Sequence, residues 1–129
     1  MRTIFWYVVA AALVMPSITS AEGLEATERA RAGSFDVRGE VACAQEVGQT
    51  MGTCTAAVAR VGNSAAAVVV TFPNGFARTL IFEDRIFVRG NPTMSGVGTD
   101  TDWRVSDGTH LVRVDDQRFE LPEGLVFTE

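Results

Sequence analysis

Residues 65–82 read AAAVVVTFPNGFARTLIF, and this stretch decides the fold class. Two runs rich in β-branched and aromatic residues flank Pro73-Asn74-Gly75. Proline presets φ for the first turn position, asparagine accepts the second and glycine takes the left-handed one, so a type I turn with a G1 bulge closes a hairpin. Pairing Phe72 with Phe76 sets the register. It puts Ala66, Val68, Val70, Phe72, Phe76, Leu80 and Phe82 on one face, with Arg78 as the polar exception. Ala67, Val69, Thr71, Ala77, Thr79 and Ile81 take the other face.

Working towards the C-terminus, the polar turn at residues 83–85 leads into a short strand over 86–89. Residues 90–99, GNPTMSGVGT, carry three glycines and a proline with no periodicity, and so form a loop. Loops held on a rigid scaffold are where binding residues concentrate, so Asn91, Met94, Ser95, Gly96 and Gly98 form a candidate binding loop. Asp107-Gly108 and Asp115-Asp116 then each close a tight hairpin, and their registers agree. Ser106 pairs with Thr109, Trp103 with Val112, Asp102 with Arg113, Val112 with Phe119 and His110 with Leu121. The resulting meander has an apolar face of Trp103, Val105, Val112, Val114, Phe119 and Leu121. Its charged face carries Asp102, Arg104, Arg113, Arg118 and Glu120 beside Leu111, and is a candidate surface for an anionic or carbohydrate partner. Pro122-Glu123-Gly124 ends the meander, and Leu125, Val126 and Phe127 tuck back onto the core as a turn or short strand.

Upstream, residues 34–43 read as a strand bulged at Gly39, 44–52 as a loop, and 53–61 as a second strand. About six to seven short strands with no long helical period predict an all-β fold, a small antiparallel sandwich or barrel. Residues 22–33 form a polar arm, either a short helix or a loose segment. A helix docking over 24–32 would make the fold α+β instead. Residues 34–129 are the single β domain.

The first residues, MRTIFWYVVAAALVMPSITSA, have the three parts of a secretory signal: Arg2, an apolar run over 4–15 and small residues ending at Ala21. The run is shorter than the roughly 20 residues of a membrane span. Cleavage after Ala21 leaves about 108 residues, enough for one core. The expected location is therefore the periplasm or the extracellular space, with no stable membrane insertion after cleavage. Net charge is −5 and every basic side chain is arginine. An acidic chain lacks the basic footprint of a nucleic-acid binder. In an oxidising compartment Cys43 and Cys54 are expected to form a disulfide, closing a short loop worth roughly 2 to 3 kcal/mol.

No constellation points to catalysis. His110 is the only histidine, no nucleophile elbow accompanies Ser95 or Ser106, and the register places the ring at the end of an apolar face. Asp100, Asp102 and Asp107 resemble a calcium loop only superficially, because Arg104 stands at the fifth position and the bidentate glutamate is missing. Structural zinc wants four cysteine or histidine ligands. No catalytic residue, metal or cofactor is assigned.

GEVACAQEVGQTMGTC, TFPNGFARTLIFEDR and DDQRFELPEGLVF together resemble a group of small exported proteobacterial proteins of uncharacterised function. That group shares a G-E-x-x-C-A-Q start, an M-G-x-C second cysteine, a P-[DN]-G hairpin and a D-x-R-[FY]-E-[IL]-P ending. The resemblance implies a periplasmic setting and the Cys43 to Cys54 bridge, and no activity. A weaker similarity is to periplasmic β-barrel inhibitors of C-type lysozyme, whose inhibitory loop is rich in serine and glycine, as residues 94–98 are here. The basic and aromatic residues flanking that loop are not matched in order, and the cysteine spacing differs. The expected function is thus a non-enzymatic exported β module, binding or structural, for an unknown envelope or extracellular protein or ligand. The alternative is an inhibitor of a lysozyme-type wall hydrolase.

Overall fold

The structure is a computed structural model and describes residues 18–91 and 99–128. A helix, α1 (Ile18–Arg31), precedes eight strands: β1 (Val37–Ala44), β2 (Gly52–Val61), β3 (Ala65–Thr71), β4 (Ala77–Glu83), β5 (Ile86–Arg89), β6 (Thr101–Ser106), β7 (Thr109–Val114) and β8 (Gln117–Pro122). A single helical turn, α2 (Glu123–Val126), follows. The described strands number eight against the expected six to seven, and the short strand expected over 86–89 is among them, paired with β4. All strands lie in one antiparallel sheet, in the order β5-β4-β3-β2-β1-β8-β7-β6.

That sheet is curled nearly into a barrel. In a flat sheet β4 and β7, five places apart, would be about 24 Å from each other. Instead the Phe82 ring on β4 meets the His110 ring on β7 at 5.2 Å, and Phe72, just after β3, meets Phe119 on β8 at 5.6 Å. The enclosed core holds Val58, Val68, Val70, Leu80, Phe82, Val112, Val114, Phe119, Leu121 and Phe127, all buried. Small barrels of this strand number fill their interior with side chains or enclose one ligand. This one is filled.

The central hairpin has the register its sequence predicts. Val68 sits opposite Leu80 and Thr71 opposite Ala77, so Phe72 faces Phe76. The Phe72 N–H bonds the Phe76 carbonyl at 2.8 Å, the Gly75 N–H bonds the Phe72 carbonyl at 2.8 Å, and Gly75 takes φ of 93°. Arg78 sits opposite Val70 on the inner face. Its guanidinium donates to the Gly90 carbonyl at 2.7 Å and to the Gln117 side-chain oxygen, which makes burial there tolerable.

The outer face of this hairpin is also covered, by residues whose sequence looked polar. Residues 22–31 are helical, and Ala26 and Ala30 of α1 pack on Ala67, Ile81 and Val61. Gly23, Ala26, Thr27 and Ala30 recur at helical spacing and form the contact stripe. Side chains this small let the helix approach closely: a Cβ on Gly23 would lie 1.9 Å from the Glu83 carboxylate. The approach leaves Ile81 wholly inaccessible, worth roughly 2 kcal/mol. The docked helix precedes an all-β sheet.

The bulge expected at Gly39 is absent. β1 and β2 stay in register from Val37 opposite Val58 to Cys43 opposite Gly52. Val37, Gly39, Val41 and Cys43 share one parity, so the inward face is continuous, and glycine is needed there for space. A Cβ on Gly39 would come within 3.2 Å of Leu125, which packs from below. Cys43 and Cys54 lie diagonally across β1 and β2 and are joined in a disulfide.

The C-terminal segment closes one end of the barrel. Arg60 donates to the carbonyls of Gly124 at 3.3 Å, Leu125 at 2.7 Å and Val126 at 3.2 Å, capping the orphan acceptors of α2. Val126 and Phe127 are thereby pressed into the core.

Candidate functional site

The meander that carries the charged face folds as its two turns dictate. Trp103 is opposite Val112, Asp102 opposite Arg113, His110 opposite Leu121 and Val112 opposite Phe119. Asp107 and Asp115, both left-handed, occupy the first turn positions. Asp102, Arg104, Arg113, Arg118 and Glu120 therefore emerge together on the outer face. They surround a shallow depression of about 190 Å³ bordered by Leu111 and Met51. The Arg113 guanidinium bonds the Asp100 carboxylate at 3.2 Å, two residues before the expected partner Asp102. Strand twist and the close of the turn favour this pairing, since Asp100 also accepts the Asp115 N–H at 2.7 Å. Arg118 donates to the Gln49 carbonyl in the 45–51 loop.

A larger depression, about 530 Å³, lies on the outer face of β1, β2 and β3 where α1 ends. Ala57 and Val69 line it, with Thr55 and Thr71. Phe35 and Arg38 border it, the guanidinium 4.9 Å from the ring centre, with Glu40 nearby. Periodicity alone did not single out this surface. It exists because α1 covers only the far half of the hairpin's outer face.

Asp36 follows Phe35, which lines that depression. It accepts two hydrogen bonds from Arg29, each 3.0 Å, and one from the Arg60 N–H at 2.7 Å. The Arg29 bond first, and the Arg60 backbone bond next, hold the carboxyl below its ordinary range. On the inner face, burial holds the Arg78 guanidinium below its ordinary value, with the nearby Asp115 charge opposing the effect.

His110 is more deeply placed than its sequence position suggested, with 1% exposure. Its Nδ1 accepts from the Trp103 indole N–H at 3.0 Å, and its Nε2 meets the Glu123 carboxylate. Glu123 in turn pairs with Arg85 at 2.8 Å. Arg85 stands in the left-handed region at φ 64°, a conformation costing about 1 kcal/mol. Bonds to the Asn63 and Thr128 carbonyls and a cation–π contact with Phe127 at 4.8 Å offset that cost. Both ring nitrogens of His110 are thus committed to structure. Glu123 and Arg85 were not legible as its partners, because they lie in turns whose approach depends on barrel closure.

Asn91 lies just past the end of β5. Met94, Ser95, Gly96 and Gly98 fall outside the described residues. Among the described residues, no group of three or more histidine, cysteine, aspartate or glutamate side chains is placed to hold a metal ion. Among them too, no helix is long and apolar enough to cross a membrane. No protein-family model, curated protein or solved structure matches the chain.

Proposed function

We propose that the protein is an exported β domain that works by binding a partner at the cell envelope, not by catalysis, and that it does so with its outer surface. The observation that carries this reading is the filled interior. Phe72, Phe82, Phe119, Leu80 and Leu121 occupy the space in which a hollow barrel of this size would hold a ligand. Recognition is then left to the outside, where the depression beside Phe35 and Arg38 combines an apolar floor with charged rims. That combination suits a protein or peptide surface presenting an acidic group beside an apolar one. The secretory pattern of residues 1–21 and the Cys43 to Cys54 bridge support export. The committed ring nitrogens of His110 support a binding role over Ser-His-Asp chemistry.

Site-specific photocrosslinking in cells tests the reading. A photoreactive residue at Val69 should capture a discrete envelope partner, one at the remote Val47 should not, and Arg38→Glu should abolish capture at Val69. Equal capture from both positions would refute an outer-face site over β1 to β3. Inhibition of C-type lysozyme by micromolar protein would favour the inhibitor reading in its place.

A further inference from the structure

We infer that the free edge of β6 is a self-complementary docking strand, through which two copies of this chain pair antiparallel about a twofold axis at Trp103. Among the described residues β6 pairs only with β7. In a two-residue hairpin the residues flanking the turn, here Ser106 and Thr109, exchange hydrogen bonds, and bonded pairs then alternate along the ladder. The even-numbered residues of β6 therefore bond β7, as the Asp115 N–H to Asp100 carbonyl bond at 2.7 Å agrees. The N–H and carbonyl groups of Thr101, Trp103 and Val105 point the other way, to the open edge. An exposed edge of this kind is a template for another strand.

The side chains choose the partner and the register. With the axis at Trp103, the backbone of each Trp103 bonds its symmetry mate and Thr101 bonds Val105 of the other copy, so every outward backbone group of the strand is used. On the outer face Asp102 of each copy then lies opposite Arg104 of the other, giving two cross-strand ion pairs. Moving the axis to residue 102 or 104 sets two aspartates or two arginines against each other, which costs stability. Asp102 and Arg104 are both exposed. On the inner face Val105, 50% exposed although its parity is that of the core, gains cover from Thr101 of the other copy. The interface is isologous, as a twofold dimer requires. A single strand edge is a small contact, so the dimer is weak and appears only at high protein concentration.

Sedimentation equilibrium of the purified protein tests the inference. The molar mass should rise from monomer towards twice that value with concentration. Val105→Pro removes an N–H that β7 does not use, so the thermal unfolding curve should hold while dimerisation is lost. Asp102→Arg and Arg104→Asp should each be monomeric alone, should pair when mixed, and should regain self-association when combined in one chain. A mass that stays monomeric up to about 1 mM overturns the inference. So does a dimer that survives Val105→Pro, or one indifferent to the two charge reversals.

Discussion

The indole N–H of Trp103 donates to Nδ1 of His110 at 3.0 Å, so the ring proton must sit on Nε2, where it is shared with the Glu123 carboxylate. One buried imidazole thereby links β6, β7 and the C-terminal turn, and through Glu123 it reaches Arg85 at the turn between β4 and β5. The β4–β5 turn lies at the opposite end of the strand order from β6, β7 and β8. The network fastens the curled sheet near its open side.

Replacing His110 with alanine removes a fully enclosed ring, leaves the Trp103 N–H without its acceptor and leaves the Glu123 carboxylate with Arg85 alone. The expected loss is about 3 kcal/mol, against about 1 kcal/mol for Trp103→Phe, which removes one donor and keeps most of the packing. Urea unfolding followed by far-ultraviolet circular dichroism measures both. A Trp103→Phe loss near zero would mean that the imidazole serves only as filler.

Gly90 tests barrel curvature directly. A Cβ there would lie 2.5 Å from Cγ2 of the buried Val114, although β5 and β7 are six places apart in the sheet. Gly90→Ala should cost about 1 to 3 kcal/mol through overpacking. Combining it with Val114→Ala should cost less than the sum of the single changes, since the second makes room for the first. Strict additivity in a thermal or urea series would contradict the packing of β5 against β7.

The disulfide closes a loop between cysteines 11 residues apart. Replacing both Cys43 and Cys54 with alanine should lower stability by roughly 2 to 3 kcal/mol without changing the strand content. Mass spectrometry should register a gain of two hydrogens when the native protein is reduced. No gain would rule the bond out.

Asp36 supplies a pH dependence with a definite sign. Its carboxyl titrates below the unfolded value, chiefly because of the Arg29 hydrogen bond. Its contribution is therefore complete above the unfolded pKa of about 3.9 and fades as pH falls through the lower folded value. The pair is about one third exposed, so the effect is modest. Asp36→Asn should destabilise at pH 7, and its gap from the parent protein should narrow with acidification below about pH 4. Urea midpoints at the two pH values decide this, and a constant gap would disprove the assignment.

Local chemistry is what the sequence by itself determined. Pro73-Asn74-Gly75, Asp107-Gly108 and Asp115-Asp116 prescribe their turns through φ preferences, and each turn sets the parity of its strands, so the hairpin and meander registers follow without knowledge of the rest of the chain. Parity also brought Asp102, Arg104, Arg113, Arg118 and Glu120 to one face. Gly39 marks where that logic was misapplied: its position fits the parity of Val37 and Val41, and it is glycine to admit Leu125.

The tertiary structure alone decided whether the sheet would curl, that a helix of small residues could press on Ala67 and Ile81, and which turns would meet His110. Those outcomes depend on contacts between residues distant in sequence, where close approach comes from the absence of side-chain bulk at Gly23, Ala26 and Gly90. Small side chains leave no hydrophobic period to read, and their meaning emerges only when another surface arrives.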